Sequence, residues 1–318
     1  TEVLIPWSCA GTGFPQLAIT NPIAYELTTS SPLFSISGVT TGTGMNIVLT
    51  SDRHGQTTVS GSNVWHGVVE LLPGWNRVLV QGRDANARVV TSEKRIRYIP
   101  PDPVQVVVVS ETSHPVERWD LFEAAFVVKN SAATHPHFAF SAPLIAGLEA
   151  LDGIRVDVLF TPDNWATVYR RPAYYHIPHS RELKSNREWL YPSGAGYWCV
   201  RFAPPSDGIW KWKVEVEEAK GTTTSQVRSF LVVAPTLSTN HGPVQVSPSD
   251  SRYFIHADGK VFLGAGHNIG VSPERFSYAM EDQFAAIGEA NQDFFRWWIA
   301  GAIWGSAWTP WASRSLSY

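Results

Sequence analysis

The chain has 318 residues, a length that predicts about two or three domains rather than one small core. Its 25 basic and 28 acidic residues give a formal net charge of −3, which excludes the basic surplus that nucleic-acid-binding proteins use to neutralise phosphates. We therefore expect no nucleic-acid partner. No apolar run approaches the roughly 20 residues of a membrane-spanning helix, so we also expect no membrane span.

Residues 15–100, which follow an N-terminal segment of residues 1–14, favour an antiparallel β-sandwich. Short segments rich in β-forming residues alternate there with turn residues such as NP, TGTG and PG. A low content of charged residues, 17%, together with 14 Trp and 24 Gly, is typical of extracellular β proteins that handle carbohydrate. We therefore expect an extracellular or cell-surface protein with a carbohydrate partner.

The stretch WHGVVELLPGWNRVLVQGRDANARVV resembles the final strands of bacterial immunoglobulin-like modules. In those modules a tryptophan-bearing strand, an L-x-x-G-x-N turn and a V-x-V-x-A-x-D strand follow in this order. Gly74 suits the turn, and the side chain of Asn76 can cap it. The resemblance implies a structural spacer. The matching residues are Trp65, Leu71, Gly74, Asn76, Val78, Val80 and Asp84.

A second β-sandwich is predicted over residues 104–235. It follows YIPPDPVQ at residues 98–105, where consecutive prolines favour an extended linker. Six later segments alternate or run apolar as strands do. In WKWKVEVEE, apolar and charged side chains alternate, so we expect Trp210 and Trp212 in the core. Cys199 lies in the alternating segment YWCVRF and is expected to be a buried thiol.

Three motifs in this region, HPVERWDLFEAAF, GYWCVRFAPPSDGIWKWKV and RSFLVVAP, form one recognisable pattern. The pattern resembles a β-sandwich domain of uncharacterised function that precedes the catalytic barrel of bacterial glycoside hydrolases. The resemblance implies a secreted, multidomain bacterial protein that acts on a polysaccharide or oligosaccharide. The match is carried by Glu117, Trp119, Phe122, Glu123, Arg201, Phe202, Pro204, Gly208 and Trp210.

Residues 163–193 are aromatic and basic, and they depart from the compact version of that domain. Two interpretations stay open for them, a binding loop or an elaborated structural insert. The histidine pairs in ATHPHF and YYHIPH could meet at a metal, but solvated loops are the simpler interpretation. We therefore expect no metal site and no cofactor.

Residues 236–318 are predicted to contain a linker hairpin and the first βαβ part of an α/β barrel of the TIM type. Asp258-Gly259 favours the hairpin turn, and VFLGAG at residues 261–266 favours the first barrel strand. A helix with apolar residues on one face follows, and DFFRWWIAG favours the second strand. Because a complete barrel takes about 250 residues, the sequence predicts a barrel that is cut short.

Five residues are predicted to bind substrate. His267 and Asn268 stand at the end of the first barrel strand, and Trp304 and Trp308 lie in the loop after the second, where their rings can stack on sugars. By resemblance, Arg296 matches an arginine that supports the nucleophile of retaining glycosidases of the clan A type. Because the two carboxyl groups that such enzymes use are not identifiable here, no catalytic residue is assigned.

An alternative function stays open. The sandwiches could form an extracellular structural or adhesive surface protein that self-associates or builds filaments edge to edge. The apolar C-terminal segment, which includes Phe294, Phe295 and Trp297, would expose a costly surface if nothing covered it. We therefore expect either further barrel sequence or self-association to cover this segment.

Overall fold

The structure is a computed structural model that describes residues 14–42, 44–61, 63–113, 115–140, 153–236, 240–269 and 275–297. Within these ranges the chain is mainly β, with 26 strands in several sheets and one α-helix. It divides into two compact units: Thr1–Ser110, Ala125–Tyr174 and Lys211–Arg228 form the first, and Glu111–Ala124, Tyr175–Trp210 and Ser229–Tyr318 form the second. The boundaries of the predicted domains stay a prediction.

Two sheets of the first unit enclose an apolar core. Their strand orders are β1-β3-β7-β6 and β2-β9-β8-β4-β5. Trp65 on β7 is buried among Ile36, Leu49 and Val78, which come from both sheets. The predicted β-sandwich is therefore confirmed here. Its strands are β1 (Gln16–Asn21), β2 (Glu26–Thr29), β3 (Leu33–Thr41), β4 (Asn46–Ser51), β5 (Gly55–Thr58), β6 (Ser60–Gly61), β7 (Val64–Glu70), β8 (Gly74–Arg83) and β9 (Val89–Tyr98).

The turn before β8 depends on the buried side chain of Asn76. Its Oδ1 accepts a hydrogen bond from Leu72 N at 3.0 Å, and its Nδ2 donates to Leu72 O at 2.7 Å and Gly74 O at 2.9 Å. Gly74 has φ 87°, and a Cβ there would lie 1.9 Å from Thr134 Oγ1. Both residues of the L-x-x-G-x-N turn are therefore structural, as the sequence predicts.

The chain between Tyr98 and Gln105 is held by specific contacts and is more than a stiff spacer. The Lys220 ammonium donates to Pro100 O at 2.8 Å, Asp102 O at 2.5 Å and Asn130 O at 3.1 Å. Asn130 Nδ2 in turn donates to the linker carbonyl of Pro103 at 3.0 Å. The side chains of Lys220 and Asn130 thus satisfy backbone carbonyls of the proline-rich segment.

The region that follows contains β10 (Gln105–Glu111), β11 (Val116–Glu117), β12 (Phe122–Lys129), β13 (Arg155–Thr161), β14 (Tyr169–Pro172), β15 (Tyr174–His176), β16 (His179–Lys184), β17 (Arg187–Pro192), β18 (Tyr197–Phe202), β19 (Gly208–Glu218), β20 (Gly221–Thr224) and β21 (Arg228–Val233). Within the first unit, β13 pairs antiparallel with β14 and β19, and β19 with β20. Within the second unit, β11 pairs parallel with β21.

The alternating strand β19 is buried on one face, as the sequence predicts. Trp210 and Trp212 are 0% exposed, and Cys199 is buried as expected. In the second unit, Phe122 stacks on Phe230 with ring centroids 4.1 Å apart, and Phe202 contacts Trp210 edge to face. These large aromatic side chains supply most of the apolar contact in this core.

A three-stranded hairpin sheet and a βαβ unit complete the described chain. The hairpin strands β22 (Val244–Val246), β23 (Phe254–His256) and β24 (Val261–Phe262) are antiparallel, with the predicted turn at Asp258-Gly259. The strands β25 (Gly266–Ile269) and β26 (Phe294–Trp297) are parallel, and α1 (Phe276–Glu289) lies between them in sequence. Within the described residues this single unit falls short of a barrel.

The described residues show no evident start of a barrel, and the first strand of the parallel pair is not where the sequence predicts it. Val261 and Phe262 pair with Ile255 and Phe254, so these residues complete the hairpin. The parallel strand begins only at Gly266, where a Cβ would lie 1.7 Å from Phe294 O. The predicted segment 261–266 was wrong because a short apolar run does not reveal whether its partner strand precedes or follows it.

The C-terminal strand exposes apolar surface. Phe294 is 48% exposed and Phe295 43% exposed, while the residues from 298 onward lie outside the described ranges. Self-association through this segment stays a prediction. No helix in the part of the chain that the structure describes has the length and apolarity that crossing a bilayer demands.

We predict that Asn76→Ala lowers the free energy of unfolding of the first sandwich by about 2 kcal/mol, because it removes the partners of the part-buried backbone groups of Leu72 and of the buried carbonyl of Gly74. Differential scanning calorimetry should show a lower Tm. The matched control is Asn86→Ala, an exposed asparagine on a neighbouring turn, which should change stability by no more than about 0.5 kcal/mol. Equal effects of the two substitutions would contradict this role for Asn76.

Candidate functional site

The candidate site is built on the parallel pair β25 and β26. The register places Asn268 opposite Arg296 and His267 opposite Phe295. Side chains alternate between the two faces of a sheet, so paired residues share a face. Two of the five predicted site residues, Asn268 and Arg296, are therefore neighbours on one face.

The helix α1 lies against the other face of this pair. The ring of Phe284 on α1 lies 5.0 Å from the ring of Phe295. Ile269, which alternation puts on the same face as Phe295 and His267, is buried. Asn268 and Arg296 consequently lie on the face turned away from α1.

His267 is held differently from the prediction. The sequence places His267 and Asn268 after the first barrel strand, whereas the structure places both inside β25. His267 Nδ1 lies 2.5 Å from Gln292 Oε1, in a hydrogen bond between the strand and the loop before β26. This contact links β25 to the loop before β26, and the predicted role of His267 in substrate binding stays a prediction.

A cavity of about 250 Å³ opens beside β25 and the C-terminal half of α1. Its lining is mixed, with amide and imidazole groups beside aliphatic side chains, so it combines hydrogen-bonding groups with apolar surface. Trp304 and Trp308, the remaining predicted site residues, lie outside the described residues. The cavity is lined by His267, Asn268, Ile269, Gln283, Ala286, Ile287, Ala290 and Gln292.

The acidic groups near the βαβ unit are engaged in structural contacts. Glu281 pairs with Arg181 at 2.6 Å, and Asp282 pairs with Arg275 at 2.9 Å. Asp293 stands at the entrance of β26, where its Oδ1 accepts a hydrogen bond from Ala265 N at 3.4 Å. Glu281 and Asp282 therefore lie on a solvated face of α1, where each is engaged in an ion pair.

Sequence reasoning missed the hairpin formed by β16 and β17 within residues 163–193. The two-residue connection Ser185-Asn186 has φ 49° and 59°, the positive values of a type I′ turn. Its polar residues are a recognisable hairpin signal. The strands carry many charged side chains and show no alternation of apolar residues, so the periodicity that marks other strands is missing.

This hairpin docks on the N-terminus of α1. Glu188 accepts hydrogen bonds from Ser277 N at 2.7 Å and from Ser277 Oγ. Arg181 donates to Ser277 Oγ at 2.8 Å and to Glu281 at 2.6 Å, and its guanidinium lies 4.4 Å from the Tyr278 ring centroid. The hydrogen bond to Glu281 raises the pKa of Arg181, so this cation stays charged. The insert therefore has a structural role.

The two histidine pairs, in ATHPHF and YYHIPH, are the groups that could have met at a metal ion. Burial lowers the pKa of His137, which favours its neutral form. In the ranges given above, the structure groups no three His, Cys, Asp or Glu side chains in a way that could hold a metal ion. The histidine pairs thus provide no metal centre within those ranges.

Two of the residues that carry the resemblance to the glycosidase-associated sandwich, Glu117 and Trp119, contact the chain that leads to the hairpin β22–β24. Glu117 accepts a hydrogen bond from Thr236 Oγ1, and Trp119 packs where a Cβ on Gly242 would meet its ring at 2.7 Å. Arg201 pairs with Glu123 at 2.6 Å. Glu117 and Trp119 therefore hold the connection toward the hairpin β22–β24.

No protein-family model and no curated protein matches the chain. Among solved structures it is similar to a candidate glycoside hydrolase from Bacteroides vulgatus, at 18% identity and a TM-score of 0.35 over 57% of this chain and 27% of that chain. It is also similar to SGBP-B of the Bacteroides ovatus mixed-linkage glucan utilization locus, solved with a mixed-linkage heptasaccharide, at 11% identity and a TM-score of 0.24 over 69% of this chain and 47% of that chain.

Fibronectin(III)-like modules of Clostridium thermocellum CbhA are similar at 10% identity and a TM-score of 0.21, over 69% of this chain and 94% of those modules. The chain spans only 27% and 47% of the two Bacteroides proteins. At these identities and TM-scores the likenesses carry no conclusion about function. The β-sandwich fold of the first unit is shown by its own two sheets and apolar core.

We predict that Glu188→Ala loosens the N-terminal turn of α1, because the carboxylate satisfies a helix-end N–H. Loss of a capping contact typically costs about 0.5–2 kcal/mol, equivalent to about 2- to 30-fold faster amide exchange. Hydrogen–deuterium exchange of residues 276–289 measures this effect. Glu182→Ala, on the opposite face of the same hairpin, is the control and should leave exchange in α1 unchanged.

Proposed function

We propose that the chain forms the non-catalytic β-sandwich modules and the first βαβ unit of a secreted bacterial glycoside hydrolase that acts on polysaccharide. The observation that carries this proposal is the pairing of Asn268 with Arg296 on the face of β25 and β26 turned away from α1. In an α/β barrel, helices cover the outside of the strands, and the uncovered face points into the barrel.

Arg296 then has the orientation that the resemblance requires. An arginine on an inward-facing position can donate several hydrogen bonds to a carboxylate on a neighbouring strand. Such a contact keeps a nucleophilic carboxylate ionised and oriented. Asn268, beside Arg296, adds an amide that can hydrogen-bond a sugar hydroxyl or a second carboxylate.

The proposal places the acid and the nucleophile on strands that follow β26. Glycosidases place two carboxyl groups on either side of the scissile bond. Glu281 and Asp282 are in ion pairs on α1, and Asp293 lies at the opposite end of its strand from a barrel active site. We therefore predict that residues 1–318 alone release no reducing sugar from any polysaccharide.

The sandwich modules are proposed to hold the barrel rather than to perform chemistry. Within the second unit, Glu117 and Trp119 contact the segment that leads to the barrel, and Arg181 and Glu188 hold α1. The first two contacts hold the chain that enters the hairpin sheet, and the last two hold the N-terminal part of α1. Secretion, a location outside the cell or at its surface and a polysaccharide partner belong to the same proposal.

The experiment is to read the coding DNA beyond Tyr318 and to assay the encoded chain for release of reducing sugars. We expect further strand–helix repeats with two carboxylates at strand ends. Arg296→Ala in that chain should lower kcat/KM about 10²- to 10³-fold, the usual effect of removing one group that stabilises charge in an active site. Arg252→Ala, at an exposed arginine of the hairpin sheet, is the control and should leave kcat/KM unchanged.

A stop codon directly after Tyr318 would refute the enzyme proposal and favour the structural or adhesive alternative. Unchanged kcat/KM in Arg296→Ala would refute the role of the arginine even in an active enzyme. Hydrolysis by residues 1–318 would show that the active site lies elsewhere in the described chain.

A further inference from the structure

The hairpin of β16 and β17 has two chemically different faces. The register pairs Arg181 with Leu190 and Leu183 with Glu188 on one side, which we name the inner face. Arg181 and Glu188 use this face to bind α1. The opposite side, named the outer face, consists of Ser180, Glu182, Lys184, Arg187, Trp189 and Tyr191.

Two aromatic rings dominate the outer face. Trp189 is 51% exposed and Tyr191 is 40% exposed, although both are large side chains that proteins usually bury. They are two residues apart on one strand, so their Cα atoms are about 7 Å apart and their side chains project to the same side. We name this pair of exposed rings the platform. The Lys184 ammonium lies 5.4 Å from the centroid of the Tyr191 ring.

An ion pair between Glu182 and Lys184 lies beside the rings, and Arg187 lies on the same face at the turn. Lys184 Nζ lies 2.8 Å from Glu182 and 3.3 Å from Tyr191 Oη. The hydrogen bond to Glu182, followed by that to Tyr191, raises the pKa of Lys184. Glu182 and Lys184 neutralise each other beside the rings, and Arg187, opposite Lys184, leaves one positive charge next to the turn. The aromatic surface itself carries no charge, so it fits a ligand that offers both apolar faces and hydroxyl groups. Pyranose rings have this combination, whereas an anionic polymer would meet Glu182.

The docking contacts place the platform at a particular end of the βαβ unit. Glu188 binds the N-terminal turn of α1, and this turn follows the carboxyl end of β25 in the chain. In α/β barrels the carboxyl ends of the strands form the active-site face. The hairpin is therefore anchored beside the end where the proposed barrel would hold its substrate.

The platform is also preorganised. The type I′ turn at Ser185-Asn186 closes the hairpin, and the contacts of Arg181 and Glu188 hold its inner face. A ligand that binds the outer face does not have to order the loop first. Less ordering on binding means that more of the interaction energy appears as affinity.

We infer that the outer face of the hairpin is a sugar-binding subsite that holds a neutral polysaccharide chain next to the active-site face of the barrel. The stacking surface is Trp189 and Tyr191, and Glu182 and Lys184 supply hydrogen bonds to hydroxyl groups. The location beside an active site rests on the proposed function. The binding chemistry rests only on the hairpin.

The test is affinity electrophoresis of residues 1–318 in native gels that contain one polysaccharide each. The neutral probes are mixed-linkage β-glucan, xyloglucan, arabinoxylan, galactomannan, arabinan and α-mannan, and the anionic probe is polygalacturonate. We expect at least one neutral polysaccharide to retard the chain and polygalacturonate to retard it less. Retardation by none of the neutral probes, or stronger retardation by polygalacturonate, would overturn the inference.

Variants of the hairpin identify the surface. Trp189→Ala and Tyr191→Ala should each weaken binding at least 10-fold, and Trp189→Phe should weaken it less because a stacking ring remains. Leu190→Ala, at an exposed residue on the inner side of the same strand, is the matched control and should bind like the unmodified chain. Equal binding by Trp189→Ala and Leu190→Ala would overturn the inference. Thermal unfolding of each variant confirms that it is folded.

The two proposals fail separately. If the longer encoded chain hydrolyses polysaccharide while Trp189→Ala binds and hydrolyses normally, the subsite is wrong and the proposed function stands. If the longer chain has no hydrolytic activity while Trp189→Ala loses polysaccharide binding, the proposed function is wrong and the hairpin remains a sugar-binding surface.

Discussion

The parallel register between β25 and β26 decides which side chains of the βαβ unit can act together. It places Asn268 beside Arg296 and leaves Phe295 to pack on Phe284 of α1. A shift of one residue would turn Arg296 under the helix and expose Phe295 on the opposite side. The Phe284–Phe295 contact and the close approach of Gly266 to Phe294 O both oppose such a shift. Packing under the helix therefore determines the orientation of the proposed functional arginine.

The helix itself depends on the insert of the preceding region. The first turn of a helix has N–H groups without intrahelical partners, and Glu188 supplies an acceptor to one of them. Arg181 adds an ion pair to Glu281 and a cation–π contact to Tyr278. Exposed ion pairs stabilise little one at a time, but these contacts converge on one turn. The inner face of the hairpin therefore contacts α1, and the proposed ligand would bind the outer face.

The sequence predicts structure correctly where burial makes apolar residues recur at a fixed spacing. The alternation of β19 predicted the buried Trp210 and Trp212, and Asp258-Gly259 predicted its turn from backbone conformation alone. The prediction of β25 was wrong because an apolar run does not show which neighbouring strand it pairs with. The hairpin β16–β17 was missed because the residues on both of its faces are polar or exposed. Of the site, Arg296 came from resemblance alone. No periodicity predicts that it would pair with Asn268.

The stability of the βαβ unit connects these observations. A sheet of two short strands is at best marginally stable by itself in water, and β25 and β26 have four residues each. Helix α1 covers only one of their faces, and on the other face Phe294 is 48% exposed. In the proposed barrel, further parallel strands would pair with the outer edges of β25 and β26 and bury this residue beside Arg296. The same strands of the proposed barrel would bring carboxylates to Arg296. The strands that bury Phe294 would thus also supply the acidic groups that the proposed chemistry needs. Within the described residues, the hydrogen bonds of Arg181 and Glu188 to Ser277 and Glu281 connect α1 to the hairpin β16–β17.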